Sequence, residues 1–443
     1  MANIKINLEK EVGKIKPMHA VNNGPRQGGS GLPFDFSDEY EEMGVPYVRL
    51  HDTEGPYGSG QYVDIHCVFP DFSADVNDEK SYNFKCTDLY LKSIKSVGGE
   101  VFYRLGESID YNERQLYVHP PKDNKKWAEI CEHIIMHYNY GWADGYELGI
   151  KYWEIWNEPD NWAMWSGTAE QFFEMYRVAS NHLKSKFPDL QIGGYSASGF
   201  YAKNRENPSK WFRSLIPFME KFFDYITAEE TKSPLDFFSW HCYANEPEEV
   251  ALHAKFAREI LDKYGLTQTE SILTEYNNFY SLTEQPNVKE GYEAELAATF
   301  IEGQKSSLDM LMYYDMRISC YMNGILYRTK TAHGTEKYPA YYAFVLYNKL
   351  YTLGTEIEAY SDNGKVYVLG ATDKKTKNKV LVSTWNYEGD VIFDFEGTMP
   401  KRVKCYEVTE SGIKLIYARD TWNGDGFVAK KNKVYFLDFI VKQ

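Results

Sequence analysis

The 443-residue chain carries 49 basic and 64 acidic side chains, a net charge of −15, and its 10 Trp, 37 Tyr and 25 Phe make it 16% aromatic. That charge argues against a nucleic acid or an anionic membrane surface as partner, because both need clustered Lys and Arg to neutralise phosphates and release their counterions. With 43% hydrophobic residues the chain can bury one or two full cores, which excludes disorder for most of its length.

Met1–Lys10 has no apolar core or small-residue cleavage site of a secretory signal, so the expected location is the cytoplasm, with a secreted mature form left open. No stretch nears the roughly 18 apolar residues of a membrane span. Asn3–Leu8 alternates like a strand. Between about 15 and 336, eight short apolar blocks recur: Pro17–Val21, Pro46–Leu50, Glu100–Leu105, Tyr152–Trp156, Gln191–Gly194, Asp236–His241, Ser271–Thr274 and Leu308–Tyr314. Helix-like periodicity separates them at Trp127–Tyr138, Thr168–Phe187, Trp211–Ile226, Pro247–Tyr264 and Tyr292–Ser306. Strands alternating with helices predict parallel βα units, and eight of them suit a (β/α)8 barrel over residues 15–340. The open doubly wound alternative usually carries a Gly-rich phosphate turn, and neither GxGxxG nor a Walker sequence is present.

The tail differs in charge and pattern. Residues 365–443 hold 14 basic against 10 acidic side chains, a net +4 that leaves −19 on the rest. Short alternating runs at Lys365–Leu369, Lys379–Ser383, Val391–Phe395 and Val434–Leu437, separated by turn residues, predict an accessory β-sandwich over 341–443. The opening segment 1–12 can pair with it.

Six cysteines lie scattered without a CxxC pair, the pattern of free thiols in a reducing compartment. The histidines show neither HxH nor HExxH. His133 and His137 sit four apart, a spacing that packing explains, so no metal and no cofactor is expected. A homo-oligomer stays open.

In a barrel of this kind, polar residues at the C-terminal ends of the strands face the active site. The second block ends in Arg49-Leu50-His51-Asp52 and the third reaches Glu107. The fourth runs Trp156-Asn157-Glu158-Pro159-Asp160, the sixth ends His241-Cys242-Tyr243, and the seventh reads Leu273-Thr274-Glu275-Tyr276-Asn277. Glu158 and Glu275 each follow apolar residues directly, where an unpaired carboxylate is costly. Two such acids from different strands can flank a glycosidic bond, one protonating the leaving oxygen and the other attacking the anomeric carbon. Acids about 5–5.5 Å apart leave no room for an intervening water and so retain configuration.

The Trp-Asn-Glu-Pro-Asp and Thr-Glu-Tyr-Asn motifs, with His-x-Tyr between them and a trailing β module, resemble clan-A retaining glycoside hydrolases. The nearest resemblance is to glycoside hydrolase family 39, the β-xylosidases and α-L-iduronidases. It implies a (β/α)8 barrel joined to a β-sandwich, with Glu158 as acid/base and Glu275 as nucleophile. It further implies Asn157 on the sugar 2-OH, His241 and Tyr243 orienting the sugar and the nucleophile, and Arg49 and His51 as polar residues at the second strand end. Glu107 and Asp52 are expected on sugar hydroxyls. Trp162, Trp165, Tyr276 and Phe279 are candidates for stacking on sugar or for core packing.

After the eighth block the chain reads Met312-Tyr313-Tyr314-Asp315-Met316-Arg317, without the Trp often found there in clan A. Tyr313 or Asp315 is the expected replacement. The expected function is a retaining, exo-acting hydrolase of β-xylosides or similar neutral glycosides, its partner being an oligosaccharide or glycoside substrate. Endo-acting glycanases, enzymes acting on arabinopyranosides, galactosides or uronides, and a non-catalytic carbohydrate-binding barrel remain alternatives. The −19 module mildly favours a neutral sugar over a uronate.

Overall fold

The computed structural model describes residues 1–27, 34–53, 62–318, 320–328, 335–424 and 426–441. Eight parallel strands close a barrel in the order Ala20–Asn22, Tyr47–Arg49, Glu100–Leu105, Tyr152–Ile155, Gln191–Ala197, Phe237–Ala244, Glu270–Asn278 and Met310–Tyr313, the last pairing back onto the first. Each apolar block of the sequence supplies one strand. The fourth strand shows how period-two alternation builds the interior. Tyr152 points into an apolar floor, Trp153 lies under the helices, and Glu154 points back into the barrel.

The floor is made by Ala20, Phe102, Tyr152, Phe237, Ile272, Met310 and Met312. The Tyr152 ring stacks on Phe102 at 5.2 Å and meets Phe237 edge-on at 5.6 Å. This plug seals one end of the barrel, so the polar side chains above it face only the opposite mouth.

Local sequence explains where the helices begin. Asp123 caps Asn124–Tyr140 by accepting from the backbone N–H groups of Lys125 and Lys126, and Gly141, at φ 72°, ends that helix. Thr168 and Gln171 form a capping box ahead of Ala169–Lys186. Ser209 caps Lys210–Thr227, which fixes Trp211 and Phe212 in the first turn beside the barrel mouth. No helix among the described residues is long and apolar enough to cross a membrane.

Helix Tyr341–Tyr351 follows the eighth strand and packs between helices Tyr292–Lys305 and Ser37–Met43, with Phe344 edge-on to Phe300 at 5.1 Å. We propose drawing the boundary between the modules after this helix rather than at 340, because its packing completes the outer ring.

The second module is a nine-stranded sheet. Its order is Gly412–Thr421, Lys401–Thr409, Val434–Ile440, Lys377–Ser383, Tyr367–Thr372, Thr355–Ser361, Ala2–Lys14, Gly389–Glu396 and Gly426–Ala429. Phe395 and Phe439 lie on strands separated by four others, yet their rings are 5.3 Å apart. The sheet therefore folds over itself into a sandwich with one apolar core.

The opening strand sits inside this sheet, antiparallel to Thr355–Ser361 and parallel to Gly389–Glu396, with Ile4 and Ile6 fully buried. Ile6→Ala should therefore cost about 2–5 kcal/mol in urea unfolding. A loss below about 0.5 kcal/mol, the range of surface substitutions, would show that this strand does not hold the sheet together.

Candidate active site

Above the floor, one wholly buried guanidinium organises the barrel. Arg49 uses all five of its N–H groups: Nε donates to Glu154 Oε2 at 2.7 Å, Nη1 to Glu275 Oε1 at 2.9 Å and Asn22 Oδ1 at 3.1 Å, and Nη2 to Asn157 Oδ1 at 2.6 Å and Ser196 Oγ at 2.9 Å. Ser196 Oγ in turn donates to Glu154 Oε1 at 2.6 Å. A buried cation with this many partners is held in one place and one plane. Because Asn157 Oδ1 is engaged by Arg49, its Nδ2 is the amide atom left for a ligand, and Asn157 lines the pocket.

Glu158 follows at the end of the fourth strand. Trp156 and Glu158 both have positive φ, 71° and 43°, a strained conformation for bulky residues that aims the Glu158 carboxyl across the mouth. The turn is held by Glu158 N–H on Ser196 O at 3.0 Å and by the Trp156 indole N–H on Met164 O at 2.8 Å. Gly106 allows it, since a Cβ there would sit 2.9 Å from the Trp156 ring. Glu158 Oε1 faces His241 Nδ1 at 2.8 Å, and Oε2 accepts from Asn161 Nδ2 at 2.9 Å. Burial raises its carboxyl to about 7.

Glu275 holds a different set of partners. Besides Arg49 on Oε1, its Oε2 accepts from the Tyr243 phenol at 3.0 Å and lies 3.5 Å from His241 Nδ1. Burial raises this carboxyl as well, while the Arg49 cation opposes the rise. Two acids this close titrate as a pair. Contact with the cation favours the charged form of Glu275 over that of Glu158. His241 itself is pushed down to about 4, chiefly by burial, and stays neutral. A carboxylate oxygen of each acid and a ring nitrogen of His241 lie within 4.8 Å of one another.

The pocket over these groups encloses about 430 Å³ and takes residues from seven of the eight strand ends. His51 and Asp52 lie in its wall. His51 Nε2 is 3.4 Å from Asp52 and 3.9 Å from Glu275, and burial keeps its ring neutral. Asp52 accepts from Ile109 N–H at 3.0 Å and from the Tyr314 phenol at 2.9 Å.

The barrel therefore gathers Glu158, Glu275, Asn157, His241, Tyr243, Arg49, His51 and Asp52, with Arg49 behind the pocket rather than in it. Glu107 and Tyr276 are placed elsewhere. Past Gly106 the chain turns Glu107 onto His66, whose backbone N–H and ring it binds, and away from the pocket. Tyr276 alternates outward from Glu275 and shares a 2.9 Å hydrogen bond with Thr299 under a helix.

Trp165 is buried and donates to Thr168 O, Trp162 is exposed against Tyr111, and Phe279 does line the pocket. At the eighth strand end the pocket residue is Tyr314. Tyr313 is core, bonded to Met322 O, and Asp315 is taken by Arg317. Sequence reasoning missed Glu154, Ser196, Asn161 and Tyr314. A lone Glu on the inward register of an otherwise apolar strand is a signal that could have found the first.

The model of "Glycosyl hydrolases family 39" matches residues 2–379. The chain belongs to glycosyl hydrolase family 39. Among curated proteins it is 23% identical to the "Beta-xylosidase" of Geobacillus stearothermophilus over 272 residues, 54% of this chain and 48% of that one. The chain thus spans about half the length of that relative. Among solved structures it is similar to a glucosidase from Croceicoccus marinus, with a TM-score of 0.79 at 22% identity over 99% of both chains. A monomeric beta-xylosidase from Caulobacter crescentus CB15 gives 0.71 at 14% identity, also over 99% of both. These likenesses fix the fold of the family member, barrel and sandwich together.

Two stability predictions follow from the geometry. Arg49→Met should cost about 3–5 kcal/mol in urea unfolding, because Glu154 and Glu275 would be left buried without their cation. A cost under 1 kcal/mol would mean the carboxylates find other partners. Glu158, whose folded value lies above its unfolded one, binds more protons when folded, so it lowers stability as pH rises from about 4.5 through 7. Glu158→Gln should thus be more stable than the parent at pH 8 by about 1–3 kcal/mol and show little difference at pH 4.5. Equal stability at both pH values would refute the raised carboxyl.

Proposed function

We propose that this family 39 chain is a retaining, exo-acting glycosidase that hydrolyses β-xylosides or closely related neutral glycosides. The observation that carries the reading is the unequal environment of two neighbouring carboxyls. Glu158 is protonated near neutrality and bonded to Asn161 and His241, whereas Glu275 is tied to Arg49 and Tyr243. Oxygens within 4.8 Å of each other support direct attack by Glu275 rather than attack through an intervening water, which needs acids about 6.5–9.5 Å apart.

In the first step Glu275 forms a bond to the anomeric carbon while the glycosidic C–O bond breaks and Glu158 gives its proton to the leaving oxygen. The ester so formed removes the charge from Glu275, which frees Glu158 to ionise. Glu158 then takes a proton from a water that attacks the same carbon and releases Glu275. Asn157, pinned by Arg49, offers Nδ2 to the sugar 2-OH, a contact that tightens as positive charge grows on the ring. A pocket walled, among the described residues, from seven strand ends supports action at a chain terminus. The curated beta-xylosidase relative supports xylose as the sugar.

The test is turnover of aryl β-xyloside, α-arabinopyranoside, β-galactoside and β-glucoside, with the product anomer read by NMR. Retained configuration is expected, and an inverted product would sink the mechanism. Glu275→Ala should lose on the order of a thousandfold or more in kcat and regain turnover with azide, giving a glycosyl azide of inverted configuration. Activity should fall as pH rises through about 7, where Glu158 loses its proton, and Glu158→Ala should abolish that limb. If none of the four glycosides is cleaved, the non-catalytic sugar-binding reading replaces this one.

A further inference from the structure

The inner part of the pocket is polar, whereas the outer wall, among the described residues, is mainly apolar. It is built from Trp211 and Phe212 on the first turn of Lys210–Thr227, Phe279 and Leu282 after the seventh strand, and Ile109 and Tyr321 on the loops after the third and eighth. Trp211, Leu282 and Tyr321 expose 41%, 41% and 50% of their surface at the mouth.

Two features of this wall bear on what it takes. First, its rings are fixed before any ligand arrives. The Arg205 guanidinium lies 4.1 Å over the Phe279 ring and 4.2 Å over Tyr201, which meets Phe212 at 4.5 Å, while Glu249 holds Arg205 by an ion pair at 3.0 Å. Second, among the described residues the polar atoms of Trp211, Tyr321, Ser198 and Tyr201 are bonded to the protein. The Trp211 indole N–H donates to Asp160 O at 3.1 Å, the Tyr321 hydroxyl to Leu282 O at 2.9 Å and the Ser198 hydroxyl to Asp160 Oδ1 at 2.5 Å. The Tyr201 oxygen accepts Tyr243 N–H at 3.0 Å.

A second sugar at this place would bring several hydroxyls to side chains whose polar atoms already have protein partners, and hydroxyls set against them would lose water without a partner. An apolar group would lose nothing of the kind. The bond from Trp211 to Asp160, two residues beyond Glu158, also places this ledge on the acid's side, where the leaving group departs.

We infer that the leaving-group site of this chain is built for an apolar, ring-bearing aglycone, with Trp211 as the main specificity-determining residue, rather than for a second sugar. This rests on the glycosidase reading above. It specifies which half of the substrate the outer wall recognises.

The experiment compares 2-phenylethyl, methyl and disaccharide glycosides of whichever sugar the aryl panel turns over fastest. The disaccharide has the more acidic leaving hydroxyl, so chemistry alone favours it. A preference for the 2-phenylethyl glycoside is therefore a binding effect. We expect its kcat/KM to exceed that of the disaccharide by about tenfold, with Trp211→Ala abolishing the excess while leaving the methyl glycoside within about twofold. Equal or better use of the disaccharide, or a Trp211→Ala loss shared equally by all three, overturns the inference while leaving the glycosidase reading intact. No turnover of any aryl glycoside removes both.

Discussion

The buried Arg49 guanidinium is the constraint on which the rest of the site depends. A cation wholly removed from water is tolerable only if its donors are matched in number and plane, and here five N–H groups meet five acceptors on four different strand ends. Those acceptors include the candidate nucleophile Glu275 and the oxygen of Asn157, so one side chain fixes the carboxylate, the amide and, through Ser196, the strand that supports the Glu158 turn. The apolar floor of Phe102, Tyr152 and Phe237 keeps water out from below, which strengthens every one of these contacts.

The proposed division of labour between the two acids rests on that placement. Both are buried and both are pushed up by burial. What separates them is that the cation touches one and an amide and a neutral imidazole touch the other. Backbone strain completes the arrangement: Asp52, Trp156, Glu158 and Ser196 have positive φ of 49°, 71°, 43° and 58°, all around the mouth. Strain of this kind persists only where the surroundings over-determine it. The Arg49 network and the Trp156 packing against Gly106 supply that.

Much of this was legible in the chain because strand ends in a parallel barrel advertise themselves: an apolar block must be followed by polar residues where it leaves the core. The eight blocks and the pairs Asn157–Glu158 and His241–Tyr243 were readable on that ground. What could not be read was direction past the strand end. Glu107 comes one residue after a glycine at φ 146°, and that single turn sends it to His66. Tyr276 neighbours Glu275 but, by alternation, must face the helices. Tyr313 and Tyr314 are chemically alike, and only the register of a four-residue strand decides which reaches the pocket. Glu154 went unread for the opposite reason: it lies inside a strand, where the search for strand-end residues does not look.

At the end of the eighth strand Tyr314 does more than present a ring to the pocket. An indole would offer a face and one donor, whereas the phenol both donates to Asp52 and accepts from Arg317 Nη2 at 3.2 Å, joining the ends of the second and eighth strands. The pocket wall is thus tied across the closing seam of the barrel by polar contacts. On the glycosidase reading these polar contacts serve the sugar, and the aromatic wall is left free of that duty. The excess of aromatic residues divides accordingly. Most are spent in the core and the helix ring, as Phe172, Tyr195 and Phe222 are within 6.3 Å of one another, and a small set pinned by Arg205 and Asp160 stands at the mouth, where a ring is useful only if something apolar comes to meet it.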